Sequence, residues 1–223
     1  MADHVPVVVF VGGGPRTAGL LERMAANRPE LLAGPLIVHV IEPYEAGSGR
    51  IWRFDQSPLL LLNSMAGDIT MFTDESVDCA GPAVTGPSLV EWAAGVLDGS
   101  IADATVRSAE IRRQLEELGP GTFPTRQLQS HYLQWFFRRA VTALGPGTTV
   151  YVHQDTAVSV DPDPSGAYRV RLGGGQVLAA DVLVCSLGHT DAAPGDREDR
   201  FASFADRHGG YYARPAYTQD VDY

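Results

Sequence analysis

Six residues near the start of the chain, Gly12-Gly13-Gly14-Pro15-Arg16-Thr17, follow a five-residue apolar run and open a helical pattern. Glycines at the end of a buried strand let a ligand approach the backbone closely. A helix that begins at Pro15 aims unsatisfied N–H groups and the positive end of its dipole at the same point. That chemistry suits a diphosphate, held here by backbone amides and Arg16. Glu42 ends the next apolar run, 30 residues beyond Gly12. A carboxylate at that place accepts hydrogen bonds from a ribose and repels a 2′-phosphate. The usual separation is about 20 residues, and a loop over residues 27–35 absorbs the excess. Thr17 stands where the G-x-G-x-x-G pattern has its third glycine, which departs from the fingerprint. The plainer reading is a structural turn with no ligand. A second candidate turn, Ser186-Leu187-Gly188, ends another apolar run late in the chain.

Elements must position these residues. Val7–Val11 has no polar alternation and reads as a strand buried on both faces of a parallel sheet. A helix runs from Pro15 to about Ala26, and Leu36–Ile41 forms the second strand of a right-handed crossover. Residues 43–88 are rich in Gly, Pro and Ser and read as a long excursion with little regular structure, of the kind that serves sites and lids. Helices are expected over 88–97, 109–118 and 125–144. The last carries Leu128, Tyr132, Trp135, Phe136, Arg139 and Ala140 at helical spacing, which reads as core packing. Short strands at 149–152, 157–160, 168–172 and 176–179 are expected to form one antiparallel meander. Residues 181–185 make a further buried strand, and a weak helix at 198–207 interrupts an otherwise loop-like tail.

Composition narrows the chemistry. All 17 basic residues are arginine, so a lysine Schiff base, a pyridoxal-phosphate site and a Walker-type phosphate loop are excluded. A net charge of −10 argues against nucleic acid and against an anionic membrane surface as partners. Cys79 and Cys185 are too far apart in sequence for a CxxC pair and favour a reducing, cytoplasmic setting. Asp3 stands where a secretory leader would carry a basic residue, and no run approaches the roughly 20 apolar residues of a membrane span. The six histidines lack metal-ligand spacing, so no metal is expected.

The segments VGGGPRTAG, IEP, GSGRIWR, QSPLLLLNSMAGDITMFTD, FPTRQLQSHYLQW and DVLVCSLGH together resemble the FAD/NAD(P)-binding flavoprotein family. That family is related to the N-hydroxylating and flavin-containing (class B) monooxygenases. The likeness spans nearly the whole chain. It implies an α/β, Rossmann-like parallel sheet of the two-dinucleotide-binding flavoprotein type, with helices on both faces and a β-meander at about 156–180. It further implies that Gly12, Gly13, Gly14, Pro15, Arg16 and Thr17 bind the ADP half of FAD, and that Glu42, followed by Pro43, holds the ribose. Thr156, Ala157 and Val158 would border the adenine. Ser186 and Gly188 would close over the cofactor, with Ser186 in the place of the family's alanine and Leu187 in that of its threonine. Gly49, Arg50 and Trp52 would line the site, although Trp52 could equally be core.

Asn63 is the residue singled out as catalytic, with Ser64 beside it, because it precedes Met71-Phe72-Thr73-Asp74 as in the monooxygenase segment whose Asn faces the flavin. An amide there hydrogen-bonds without acting as an acid; the plainer reading is a loop Asn capping a turn. Arg126 and Gln127 resemble helix-start residues that touch FAD, against a surface ion-pair role for Arg126. Relatives with hydride chemistry carry a second Rossmann unit for NADPH, and no second glycine motif opens a helix here. Residues 1–188 therefore read as an FAD-binding domain and 189–223 as a C-terminal extension or linker toward a missing NADPH-binding domain; for the chain as a whole, a homo-oligomer or a missing C-terminal portion is expected. NADPH enters only with a further domain or partner.

The expected function is that of an FAD-dependent oxidoreductase, a monooxygenase of N-hydroxylase type acting on a small molecule, or its FAD-binding part. Two alternatives stay open: an NAD-dependent dehydrogenase, and a non-catalytic nucleotide-binding module.

Overall fold

The computed structural model describes residues 4–31, 34–104, 106–190 and 193–213. Strand β1, Val7–Val11, is all β-branched or aromatic and lies in the interior of a four-stranded sheet. It pairs in parallel with β2, Leu36–Ile41, on one side and with β7, Val182–Cys185, on the other. Strand β3, Thr148–His153, pairs in parallel with the outer edge of β2, giving the order β3-β2-β1-β7. Three further strands, β4 (Ala157–Pro162), β5 (Tyr168–Leu172) and β6 (Val177–Ala180), form a separate antiparallel sheet.

The period-2 alternation of the strands divides the core in two. Phe10, Val38 and Val40 face helices α1 (Pro15–Leu31) and α4 (Arg126–Ala143), burying Ala18, Leu21, Leu128, Tyr132, Trp135 and Phe136. Val9, Val11 and Ile41 face the other way, onto Val170, Leu172, Leu178 and Ala180 of the antiparallel sheet. The α/β architecture is as expected, with one difference in detail: helices cover one face and the antiparallel sheet occupies the other.

Local signals explain most helix ends. Helix α2, Leu89–Asp98, starts on a Ser88–Glu91 capping box, and α3, Ala109–Glu116, on the Ser108 hydroxyl. Helix α4 starts on Thr125, whose Oγ1 accepts from the Leu128 N–H at 3.0 Å. Its aromatic stripe is core, as expected, except that Arg139 is exposed and lies over the rings of Phe72 and Trp135. Helix α5, Asp196–His208, is longer than its expected span at both ends.

Two expectations are corrected. Residues 149–152 do not belong to the meander; they are β3, an edge strand of the parallel sheet. Helix α1 does not end near Ala26 but runs to Leu31 through the segment expected as a loop. Asn27 binds the Arg23 carbonyl at 2.8 Å and the Ala80 carbonyl at 3.2 Å, so tertiary contact overrides the local breaking signal. The remainder of that expected loop includes residues 32–33, and the tail includes 191–192 and 214–223, all outside the described residues.

The segment between β2 and α2 holds one 3₁₀ turn, Ala66–Asp68, and an isolated bridge from Leu61 to Thr125. Besides short-range turns of its own, it is fastened to α4 and to the residues just before it, with the Leu62 N–H on the Pro124 carbonyl at 2.9 Å and the Arg126 N–H on the Leu60 carbonyl at 2.8 Å. The Tyr132 hydroxyl accepts from the Met71 N–H at 3.1 Å and donates to the Pro87 carbonyl at 2.8 Å.

Candidate functional site

The carboxyl ends of β1, β2 and β7 open on a crevice of about 680 Å³, walled by the connection from β2, the start of α1 and the β3–β4 link. Its volume lies in the range of about 300–1,000 Å³ typical of small-molecule and cofactor sites.

At the crevice floor the glycine turn is tied down group by group. Gly12 has φ of +100°, and a Cβ there would fall 2.2 Å from the Ser186 carbonyl oxygen, so only glycine lets β1 and β7 meet this closely. Its N–H donates to the Ile41 carbonyl at 2.9 Å, and its carbonyl accepts from the Thr17 hydroxyl at 2.6 Å. The Gly13 N–H donates to Glu42 Oε2 at 2.8 Å, and the Gly13 carbonyl accepts from the Gly47 N–H at 2.6 Å. The Gly14 carbonyl accepts from the Ala18 N–H at 3.1 Å. The Gly14 N–H has no acceptor among the described residues. Beside it, the N–H groups of Arg16 and Thr17 lie in the first turn of α1, where no intrahelical acceptor exists.

Glu42 is 6% exposed and bridges two backbone donors: Oε2 takes Gly13 and Oε1 takes the Tyr44 N–H at 3.1 Å. Burial pushes its carboxyl above the ordinary glutamate range, against the lowering effect of those two hydrogen bonds. Each carboxylate oxygen keeps a second lone pair for a ligand hydroxyl. The residue is held in place by the Glu42 N–H donating to the His153 carbonyl at 2.9 Å, which extends the β2–β3 ladder.

The arrangement fits an adenine dinucleotide on three observations. The turn leaves one backbone donor unpaired at a helix start, where anions are stabilised. The space beside Gly14 is open, since a Cβ there would meet only the Ser48 carbonyl at 4.0 Å. The buried Ser186 hydroxyl, in the crevice wall, has no hydrogen-bond partner among the described residues.

Thirteen of the residues singled out in the sequence line the crevice. Gly12, Gly14, Pro15 and Arg16 come from the turn, Glu42 and Pro43 from the end of β2. Gly49, Arg50 and Trp52 come from the next loop, Thr156 and Ala157 from the start of β4, and Ser186 and Gly188 from the end of β7. Gly13 and Thr17 are behind the lining, engaged with Glu42 and Gly12. Val158 is 57% exposed and away from the lining, as alternation along β4 requires.

The expected flavin-side group is not gathered in the same way. Asn63 and Ser64 are exposed and outside the crevice. The Arg126 guanidinium sits 5.6 Å from the Trp52 ring centroid, and its Nε donates to the Leu61 carbonyl at 3.4 Å. Gln127 donates from Nε2 to the carbonyls of Phe54, at 3.1 Å, and Gln56, fixing the loop after Trp52.

Leu187, the middle residue of the second candidate turn, also lines the crevice, as do Tyr44, Ser48, Ile51, Asp155, His189 and Thr190, which no motif singles out. Asp155 accepts from the Thr156 N–H at 2.7 Å and the Gly174 N–H at 2.9 Å, joining the crevice wall to the β5–β6 turn. Its position directly before Thr156 was the one available signal.

A family described as FAD-NAD(P)-binding matches residues 9–190. An L-aspartate N-monooxygenase (nitrosuccinate-forming) of Streptomyces davaonensis is 37% identical over 231 aligned positions, covering 100% of this chain and 35% of the relative. A nitrosuccinic acid synthase of Aspergillus oryzae is 36% identical over 218 positions, covering 96% of this chain and 31% of the relative. The chain thus spans about a third of the length of the curated relatives it matches. Among solved structures, a closed form of cyclohexanone monooxygenase aligns with a TM-score of 0.45 at 14% identity, covering 87% of this chain and 28% of that one. Among the described residues, no helix is long and apolar enough to cross a membrane. With the family match extending from the middle of β1 past the Ser186–Gly188 turn, this chain belongs to the FAD-NAD(P)-binding family.

Proposed function

We propose that this chain is the FAD-binding portion of a flavin-dependent N-monooxygenase whose substrate is the amino group of a small acidic amino acid, aspartate foremost. The observation that carries the cofactor reading is the Gly14 N–H at the head of α1, which has no acceptor among the described residues, while the N–H and C=O groups of Gly12 and Gly13 are held by the protein. The names of the relatives, L-aspartate N-monooxygenase and nitrosuccinic acid synthase, support the reaction class.

In this reading Gly14, the start of α1 and Arg16 would hold the diphosphate of FAD. Glu42 would accept from its ribose, and Thr156 and Ala157 would border the adenine. Arg50 and Trp52 would line the way to the flavin, with Arg126 bracing Trp52. Bound flavin supplies the activation of O₂ and the transfer of oxygen to nitrogen; the protein supplies position and exclusion of water. Asn63 keeps the role implied by the resemblance, a neutral amide that hydrogen-bonds near the flavin. Residues 1–188 act as the FAD-binding domain, and 189–223 continue toward an NADPH-binding domain in a cytoplasmic enzyme.

Purified chain should carry or take up FAD in a 1:1 ratio, read from its visible spectrum and the mass of the released ligand. A colourless chain that binds NADH instead would favour a dehydrogenase. A chain that binds neither would favour a module without turnover. For the substrate, oxygen-dependent conversion of L-aspartate by the longer enzyme is expected, and indifference to aspartate would remove that assignment.

A further inference from the structure

A single peptide unit in the glycine turn is gripped at both ends by side chains. The carbonyl of Gly12 accepts from the Thr17 hydroxyl at 2.6 Å, and the N–H of the same unit, that of Gly13, donates to Glu42 Oε2 at 2.8 Å. A trans peptide is planar, with its C=O and N–H on opposite sides, so the two contacts fix how the plane is turned. The next plane is then set by the Gly47 N–H on the Gly13 carbonyl at 2.6 Å. The N–H of that second plane belongs to Gly14, the donor left open to the crevice.

Thr17 is fully buried and is not among the residues lining the crevice, while its hydroxyl donor is used on Gly12. Contact with a ligand through that side chain is therefore not its role. Three consecutive glycines have the widest conformational freedom a chain can have. Left to themselves, they would sample many orientations of the Gly14 N–H, and a ligand would have to select one.

We propose that Thr17 is a positioning residue: with Glu42 it clamps the Gly12–Gly13 peptide so that the Gly14 N–H stands ready for a diphosphate oxygen before any ligand arrives. The inference rests on the dinucleotide reading above and assigns part of its affinity to a side chain the ligand never touches. The hydroxyl is the working part; the methyl fills space. This also explains how threonine can stand in the place of the pattern's third glycine: the side chain is turned inward onto the turn.

The test compares FAD affinity of the 223-residue chain with that of Thr17→Val, which keeps the shape and loses the hydroxyl, and of Thr17→Ser, which keeps the hydroxyl. Titrations are run where circular dichroism shows each protein folded, and amide hydrogen exchange at Gly13 is followed without ligand. Thr17→Val is expected to bind FAD at least 10-fold more weakly and to exchange the Gly13 amide faster. Thr17→Ser should stay within about threefold of the parent, a fold-change of about 0.7 kcal/mol in binding. If Thr17→Val does not fold, Thr17→Ala replaces it, and serine should then bind at least 10-fold more tightly than alanine. Unchanged FAD affinity in folded Thr17→Val, or failure of both Val and Ala variants to fold, overturns the clamp and leaves a structural threonine. Failure of the parent chain itself to bind FAD overturns the dinucleotide reading instead.

Discussion

The two ends of the crevice are built differently. At the glycine turn, residues from β1, α1, β2, β7 and the loop after β2 meet within hydrogen-bond distance, and nearly every backbone group has a protein partner. Toward Trp52 the positioning groups sit on long side chains, the Arg126 guanidinium 5.6 Å from the Trp52 ring centroid and Gln127 on the carbonyls of Phe54 and Gln56, while Asn63 and Ser64 are exposed to solvent. The first end is rigid because its geometry comes from the ends of packed strands. The second depends on a long irregular segment held mainly through α4. An anion site can thus be complete in the free chain while the flavin-side residues are not yet gathered.

The rigid end is most sensitive at Gly12. Gly12→Ala places a Cβ 2.2 Å from the Ser186 carbonyl at a positive φ, so the β1–β7 junction must shift. A stability loss of about 3 kcal/mol or more is expected, in the class of strained backbone and overpacking. Urea unfolding checks it, and a midpoint unchanged from the parent would show that the junction is loose.

Glu42→Ala comes next. The variant should fold, by circular dichroism, yet bind FAD about 10- to 30-fold more weakly, about 1.4–2 kcal/mol. Both the ribose contact and the support of Gly13 are removed. Equal flavin affinity would deny Glu42 any part in binding.

A smaller effect concerns His131, on α4 beneath the loop after Trp52, stacked on Phe54 with centroids 4.3 Å apart. Burial, aided by the charge of Arg138, lowers its pKa to about 4. The unfolded chain takes up this proton near the ordinary value of 6.5, the folded chain only near 4. Stability from this group is therefore complete above pH 6.5 and falls as the pH drops toward 4, by on the order of 1–2 kcal/mol after allowing for partial exposure. His131→Phe should flatten that part of the urea-stability profile relative to the parent. Parallel profiles would show that His131 titrates normally.

The smallest effect is expected at the loosely built end. Asn63→Ala should leave FAD affinity within about twofold, or ~0.4 kcal/mol, because the side chain lies outside the crevice. A large loss of affinity would mean that the two ends are gathered together in the free chain after all.

How much of this was legible in the sequence follows the same division. Val7–Val11, the glycines, Pro15 and Glu42 are local signals, each with one dominant physical reading, and their positions were foreseeable. Thr149–Val152 read as a meander strand because an edge strand of a parallel sheet alternates in exposure in the same way; only the pairing with β2 separates them. The extension of α1 depends on Asn27 reaching Ala80, a contact 53 residues away in sequence. The resemblance places Thr17 at the ligand, although a threonine in the third-glycine position departs from the fingerprint. Its inward turn onto Gly12 depends on the entry angle of α1, which no local pattern encodes. Asn63 and Ser64 were singled out by resemblance, and nothing in their own spacing fixes where that loop lies.

The central claim is most directly tested by FAD titration of the parent chain beside Gly14→Val. Among the described residues other than its chain neighbours, a Cβ at Gly14 meets no atom closer than 4.0 Å, so the variant has room to fold, while its branched side chain enters the space assigned to the diphosphate. Tight 1:1 binding by the parent is expected, with a loss of at least about 100-fold, or ~2.7 kcal/mol, in the folded variant. Equal flavin occupancy in the two proteins would contradict it.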